Sequence, residues 1–165
     1  TVFPWTDVYH PVTWIKDGVL LDLGYDRDYA KSALGENLGR PVQGALKMSG
    51  GPTTVDEMIA TTKRGILVTR FDRVEAIAEG ASSLLCRGYT RDGLWLIENG
   101  KSSKSIRNMM FTESILAALN SVEQLGAPQR IFHPPQNRWW LEPQPMFMPS
   151  MKVRDFSFTA LTSAI

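Results

Sequence analysis

A stretch near the middle of the chain has the clearest pattern of hydrophobic and polar positions. In residues 90–101, the turn dipeptides Asp92-Gly93 and Asn99-Gly100 flank a short, mainly apolar run from Leu94 to Glu98. Asp-Gly and Asn-Gly tolerate the positive φ angles that tight hairpin turns require. The pattern therefore predicts two consecutive β-hairpins that share the strand 94–98, and with them a β-meander at mid-chain.

Other apolar runs predict further strands. Asp17-Gly18 separates the runs 12–16 and 19–23, an arrangement typical of a hairpin. Segments rich in β-branched and aromatic residues favour the extended conformation. On that basis we predict additional strands at 45–48, 66–71, 83–89 and 151–160.

Three segments carry the signals of helices. Residues 26–34 predict a short helix that a glycine ends. Thr54 and Glu57 have the spacing of a capping box, and we expect Gly65 to end the helix that they begin. A third helix is predicted over 113–125, with one apolar face that we expect to pack in the core, formed by Ile115, Leu116, Leu119, Val122 and Leu125.

The order of these elements is β-β-α-β-α-β-β-β-β-α-loop-β. It predicts an α+β domain with a β-rich mixed sheet, curved or barrel-like, and about three short helices. A length of 165 residues suits a single domain over residues 1–165 with a core of its own. Because the segment beginning at Thr1 is apolar and suits burial against a neighbouring segment, we expect the chain to be a piece of a larger protein.

Composition and charge argue against two classes of function. The 18 basic and 17 acidic residues are interspersed, whereas nucleic-acid binding needs a clustered positive face. A membrane span is not expected, since no run approaches the roughly 20 apolar residues that a bilayer requires. Cys86 is the single cysteine, which excludes an internal disulfide and suits a cytoplasmic location. Its ordinary role is that of a small buried hydrophobic residue in a strand, and the alternative is a reactive or metal-binding thiol.

Catalytic chemistry has little support in the residues. Zinc hydrolases usually bind the metal through three protein ligands, with a glutamate as the base. No H-E-x-x-H spacing is present, and the two histidines, His10 and His133, are each followed by proline. A solvent-exposed or loop-anchoring role suits both, and a metal-ligand role for His133 is the alternative. We therefore assign no catalytic residue, and His133 is the one candidate metal ligand.

Two further motifs allow a binding role beside a plain structural one. Gly50-Gly51 precedes the capped helix and could place an anion at its N-terminus, although a helix-entry turn is the simpler interpretation. Trp139-Trp140 lies in the proline-rich stretch 127–149 and could form a shelf for a peptide or carbohydrate. The pair is interpreted first as covering the core or packing against a partner, because paired tryptophans in a long loop usually bury area.

The order of segments resembles the C-terminal domain of the TldD/PmbA family, predicted metallopeptidases that are also labelled modulators of DNA gyrase. The resemblance covers nearly the whole chain, and its most specific motif is Leu-Ile-Glu-Asn-Gly-Lys at 96–101. The other matching segments are IKDGVL at 15–20, MSGGPTTVDEMI at 48–59, RGILVTR at 64–70, GYTRDG at 88–93, the predicted helix at 113–125, and PSMKVRDF at 149–156.

The resemblance implies a zinc peptidase acting on unfolded or small peptides, with its H-E-x-x-x-H helix upstream of this domain. It also implies paired subunits, one of which can lack the metal motif. We therefore expect a homo- or heterodimer with a family subunit and a peptide substrate, and no nucleic-acid or membrane partner. Zinc would be a cofactor of the full-length protein rather than of this chain by itself.

One departure from the family pattern concerns the metal. Metal-binding members carry a cysteine ligand shortly before the closing strand, and the corresponding region, 133–140, has none. Cys86 lies in another predicted strand, so the ligand role is not transferred to it. Either the chain belongs to a PmbA-like branch without metal, or His133 takes the place of the cysteine. The first is favoured, since only an approximate position supports the second.

The leading hypothesis is a scaffold and partner-binding domain of a TldD/PmbA-type peptidase, active in proteolysis or peptide maturation and non-catalytic by itself. One alternative is a zinc peptidase site to which His133 contributes. The other is a β module that binds peptide or carbohydrate through Trp139-Trp140. Whether the chain takes part in catalysis is left open by the residues.

Overall fold

The computed structural model describes residues 12–39, 46–77, 84–132 and 145–162 of the chain. By the contacts between its residues, the chain divides into two compact units, residues 1–44 and residues 45–165. Within the described ranges, every helix is too short or too polar to cross a lipid bilayer.

A tight hairpin lies in the first unit. Strands β1 (Ile15–Lys16) and β2 (Val19–Leu20) pair in antiparallel fashion, with Lys16 opposite Val19. Asp17 and Gly18 connect them with φ angles of 53° and 77°, as in a type I′ turn. The predicted hairpin is confirmed, with strands shorter than the apolar runs that flank the turn.

The predicted helix over 26–34 is also confirmed in position. Helix α1 (Arg27–Tyr29) begins after Asp26, whose carboxylate accepts a hydrogen bond from the backbone of Tyr29. It continues as a π-helical turn, Ala30–Leu34, so only its first part has α geometry. Gly35 ends the turn in the left-handed conformation, which a glycine adopts without a steric penalty.

The second unit contains two short helices and nine strands among its described residues. The helices are α2 (Val55–Ala60) and α3 (Ile115–Asn120). The strands are β3 (Arg64–Ala76), β4 (Leu85–Glu98), β5 (Lys101–Ile106), β6 (Met109–Ser114), β7 (Val122–Leu125), β8 (Gln129–Phe132), β9 (Pro145–Met148), β10 (Met151–Val153) and β11 (Phe158–Leu161).

A five-stranded sheet with β4 at its centre forms the framework of this unit. Along one edge, β4 pairs with β3 over most of its length. Along the other edge, its first half pairs with β6 and its second half with β5. Strand β11 extends the sheet beyond β6. A long central strand with partners on both edges therefore fixes the position of every other strand in the sheet.

The core of the sheet is built from β4 and β6. Leu94 is fully buried and Ile97 and Phe111 nearly so, and burial of such side chains stabilises the fold by about 1.5–3 kcal/mol each. The ring of Phe71 packs edge-on against Phe111, with centroids 5.0 Å apart. A Cβ atom at Gly88 would lie 2.8 Å from the Phe111 ring, so this close approach requires glycine.

The turn at Asn99-Gly100 is the predicted hairpin turn. It joins β4 to β5, with Glu98 opposite Lys101 and both turn residues at positive φ. Asp92-Gly93, in contrast, is not a turn, and the prediction of a second hairpin there is wrong. Strand β4 runs straight through it, and the two residues together oppose Thr69 as a β-bulge. The Thr69 hydroxyl donates to the carbonyl oxygen of Gly93 at 2.8 Å, which helps to hold the bulge.

Helix α2 has the predicted capping box. The Thr54 side chain accepts from the Glu57 backbone, and the Glu57 carboxylate accepts from the Thr54 N–H at 2.8 Å. The helix ends at Ala60, however, before the predicted end at Gly65. Arg64 already belongs to β3 and lies opposite Glu98, so sheet pairing ends the helix early.

Two longer elements predicted from the sequence are divided in the structure. The helix expected over 113–125 is reduced to the six residues of α3, because the segments on either side pair as strands β6 and β7. The strand expected over 151–160 is divided into β10 and β11, which belong to different sheets. Asp155, with a φ of 56°, lies in the turn between them. Pairing with distant strands outweighs local preference in both cases.

The β-rich α+β class with three short helices is confirmed, but the barrel-like arrangement is not supported. The end strands of the main sheet, β3 and β11, do not pair with each other, so the sheet is open. All pairs between described strands are antiparallel, and the single parallel pairing is an isolated bridge between Lys47 and Phe147. The described strands therefore do not form the predicted mixed sheet.

Candidate functional site

Helix α3 stands directly after strand β6 and presents an apolar surface. Ser114 caps the helix, its hydroxyl accepting from the Ala117 backbone at 3.3 Å. Ile115, Leu116 and Leu119 lie within one side of the helix by their spacing. The carbonyl oxygen of Leu84 accepts a hydrogen bond from the Ile115 N–H at 3.1 Å, so Leu84 adjoins this side.

These four apolar side chains, which we name the α3 face, are exposed. The exposed fractions are 56% for Leu84, 47% for Ile115, 51% for Leu116 and 40% for Leu119. The prediction that Ile115, Leu116 and Leu119 pack in the core is therefore wrong for this chain. An apolar cluster of this kind is a feature of surfaces that bind other proteins.

Glu113 joins the start of α3 to the C-terminal part of the sheet. Its carboxylate is 8% exposed and accepts the backbone N–H of Ser114 and that of Ser157, both at 2.8 Å. Hydrogen bonds to a charged acceptor are stronger than neutral ones. The same carboxylate thus fixes the residue that caps α3 and the turn that leads into β11.

Cys86 lies opposite Glu113 in the β4–β6 ladder and is partly buried. Its thiol contacts the carbonyl oxygen of Glu113 at 3.4 Å. Burial, together with the charge of Glu113, raises the pKa of the Cys86 thiol. A thiol held in its protonated form is a poor nucleophile and metal ligand, which favours the structural role over the reactive one.

Two ion pairs surround the β4 bulge. Arg91 donates to the carboxylate of Asp72 at 3.1 Å, and Arg70 donates to Asp92 at 3.0 Å. The hydrogen bond from Arg91, with the charges of Arg91 and Arg70, lowers the pKa of Asp72 below its ordinary value. Both Asp72 and Asp92 are thus held by arginines across the ladder, where they orient the two strands.

A shallow, open groove of about 400 Å³ lies at the corner of the sheet where β3 begins, and we name it the Asn99 groove. It is lined by Lys63, Arg64, Glu98 and Asn99. The backbone N–H of Asn99 donates to the carbonyl oxygen of Lys63 at 2.8 Å, which closes this corner. The groove combines two cationic side chains, one carboxylate and one amide.

The residues singled out in the sequence are placed as follows. His10, His133 and Trp139-Trp140 lie outside the described residues, so the metal-ligand and aromatic-shelf hypotheses stay predictions. Gly50-Gly51 forms a helix-entry turn. The N–H of Gly51 donates to the carbonyl oxygen of Gly126 at 2.9 Å, so this amide is already used within the fold and does not face an anion.

The described part of the chain does not fit a zinc site. Within residues 12–39, 46–77, 84–132 and 145–162, no three His, Cys, Asp or Glu side chains come together as metal ligands. The carboxylates that do cluster, such as Asp72 and Asp92, are engaged by arginines. No chemical step is therefore assigned to a metal on these residues.

The fold and the surface define the class of the protein first. It is an α+β domain with an open antiparallel sheet and an exposed apolar helix face. Residues 9–160 match the family described as the PmbA/TldA metallopeptidase C-terminal domain. This match covers most of the chain, so the chain belongs to that family as its C-terminal domain.

A solved structure with the same fold agrees with this assignment. The crystal structure of TldE from Thermococcus kodakarensis matches with a TM-score of 0.59 and 14% sequence identity, over 91% of this chain and 33% of that one. The chain therefore spans about a third of the length of that protein. The comparison with curated proteins gives no match.

The sequence contained a signal for the α3 face that was interpreted otherwise. The apolar spacing of Ile115, Leu116 and Leu119 is visible in the sequence, but spacing alone does not tell whether a face meets the core or a partner. The Asn99 groove had no such signal, because its four residues come together only through the pairing of β3 with β4.

Proposed function

We propose that this chain is the scaffold and partner-binding domain of a TldD/PmbA-type peptidase, and that the α3 face contacts another family subunit in a homo- or heterodimer. The observation that carries the proposal is the exposure of Ile115, Leu116 and Leu119 on one side of a helix. In a protein interface, such a cluster forms the apolar centre and its surroundings form the polar rim.

The position of α3 on the sheet supports this role. The helix follows β6 without a connecting loop, and Glu113 bonds the backbone of its capping residue, Ser114. The apolar side chains are thus presented in a fixed orientation before any partner arrives. Such preorganisation lowers the entropy that is lost on association.

Within this proposal the domain acts in proteolysis or peptide maturation without catalytic groups of its own. The catalytic groups, and zinc where the assembled protein uses it, would come from other parts of the protein or from the partner subunit. We place the protein in the cytoplasm, which is consistent with a single cysteine whose raised pKa keeps it as a thiol.

The molar mass of the full-length protein in solution tests the proposal. Leu116→Glu places a charge at the centre of the α3 face, where a buried unpaired carboxylate opposes association. Leu161→Glu, at another exposed apolar position of the same sheet, is the matched control. We expect wild type and L161E to have the mass of the assembly by light scattering and L116E to have the mass of a single subunit. An L116E variant that is folded by circular dichroism and still assembles like wild type would overturn the proposal.

A further inference from the structure

The outer edge of β3 is free over a long regular stretch. Strand β3 pairs with β4 on one side, and its other side has no strand partner among the described residues. The backbone groups of residues 64–72 make no hydrogen bond to any described strand except β4. Beyond this stretch, Arg73 has a φ of 48° and the register shifts, which ends the regular edge. A free edge of this length offers a row of N–H and C=O groups to a further strand.

The Asn99 groove lies at the beginning of this edge. The ammonium group of Lys63 and the guanidinium group of Arg64 form no ion pair within 4.0 Å with another described residue. Glu98 is opposite Arg64 in the ladder and offsets one of the two charges, so the groove keeps an excess of positive charge. The groove therefore suits one anionic group, and the amide of Asn99 adds a hydrogen-bond donor.

The two features together determine a direction. A strand that pairs with β3 in antiparallel orientation has its C-terminal end beside the N-terminal end of β3, where Lys63 and Arg64 lie. A strand in parallel orientation would bring its positively charged N-terminus to the same cations. Charge complementarity therefore favours the antiparallel orientation and a free carboxylate at its end.

We propose that the free edge of β3 binds an extended peptide in antiparallel orientation, with the peptide's C-terminal carboxylate held in the Asn99 groove by Lys63 and Arg64. Backbone hydrogen bonds to β3 would supply most of the affinity and little sequence preference. The carboxylate would fix the register, since only one position along the edge brings it to the groove. The proposal goes beyond the partner-binding role of α3 and does not depend on it.

Binding of a labelled peptide pair tests the proposal. The probe is an extended peptide of about eight residues, alternating valine and threonine, with fluorescein at its N-terminus and a free C-terminal carboxylate. Its C-terminal amide differs only in the charge at the groove. By fluorescence anisotropy we expect the acid to bind the protein at least about tenfold more tightly than the amide, as expected for loss of a charge-assisted contact.

Two variants with the same change in charge locate the contact. Lys63→Gln with Arg64→Gln should weaken binding of the acid about tenfold and abolish the difference between acid and amide. Lys101→Gln with Lys104→Gln, on the exposed strand β5, should leave both affinities unchanged. Hydrogen exchange with bound peptide should show slower exchange in residues 64–72 and unchanged exchange in β5.

Three results would overturn the proposal. They are equal affinity for acid and amide, equal loss of binding in both double variants, and no binding of either peptide to the wild-type protein. Failure here is distinguishable from failure of the proposed partner role, because one is measured by peptide affinity and the other by the molar mass of L116E.

Discussion

Glu113→Gln tests whether the buried carboxylate holds the start of α3 and the C-terminal strand together. The carboxylate accepts two backbone N–H groups, from Ser114 and Ser157, each at 2.8 Å. A glutamine can offer its carbonyl oxygen to one of them only, and its amide nitrogen then faces the other donor. The substitution keeps the shape of the side chain and removes one hydrogen bond with its charge.

The expected magnitude follows from these two contacts. A buried N–H left without a partner costs about 1–3 kcal/mol, and replacing a charged by a neutral acceptor weakens the remaining bond by about 0.5–1 kcal/mol. We therefore expect E113Q to lower the free energy of unfolding by about 2–3 kcal/mol, as measured by urea denaturation followed by circular dichroism.

Glu75→Gln is the matched control for this substitution. Glu75 lies in the same sheet and forms an exposed ion pair with Arg87 at 3.4 Å, a contact that contributes at most about 0.5 kcal/mol. The explanation would be refuted if E113Q destabilised the protein no more than E75Q does. A larger loss in E113Q, with faster hydrogen exchange at Ser157, would agree with the structure.

Three further predictions follow from single contacts. Gly100→Ala should cost about 2–3 kcal/mol of unfolding free energy, because φ is positive and the new Cβ would lie 2.7 Å from the Ala60 carbonyl oxygen. Gly18→Ala, with the same φ and open space around it, should cost only about 1 kcal/mol, and similar losses for both in urea denaturation would contradict this. The stabilising effect of Asp72 relative to Asp72→Asn should be full above the ordinary pKa of 3.8 and should vanish as the pH falls through the lower pKa of the folded state. Urea titrations at several pH values measure it, and a difference that grows on acidification would have the wrong sign. His133→Ala should leave the zinc content of the full-length protein unchanged by elemental analysis, and a loss of zinc would instead support His133 as a ligand.

Local signals in the sequence predicted local structure well. The turns at Asp17-Gly18 and Asn99-Gly100 and the Thr54–Glu57 capping box depend on residues within four positions of one another. Their geometry is decided by side-chain preferences and by φ angles that neighbouring residues impose. Distant parts of the fold did not change them.

The errors arose where distant pairing decides the structure. Asp92-Gly93 has the composition of a turn, but β3 pairs with β4 on both sides of it, so it became a bulge in one long strand. The ends of the predicted helix 113–125 were taken over by pairing with β4 and β10. Neither partner strand is adjacent to these segments in the sequence.

The candidate surfaces illustrate the same limit. The apolar spacing of α3 was visible in the sequence, but its exposure depends on which elements lie above the helix. The Asn99 groove joins residues 63–64 with residues 98–99, which only the strand register brings together. Family membership, in contrast, was predictable, because it depends on the order of several short motifs along the whole chain.

Labelling of a cysteine placed on the α3 face tests most directly whether this face is buried by a partner. In the full-length protein with Cys86→Ser, we would introduce Leu116→Cys or, as the control, Leu161→Cys, and measure the rate of reaction with a maleimide. We predict slow labelling of L116C in the assembled protein, fast labelling after dilution below the dissociation constant, and fast labelling of L161C throughout. Equally fast labelling of both cysteines in the assembled protein would contradict a partner-binding role for α3.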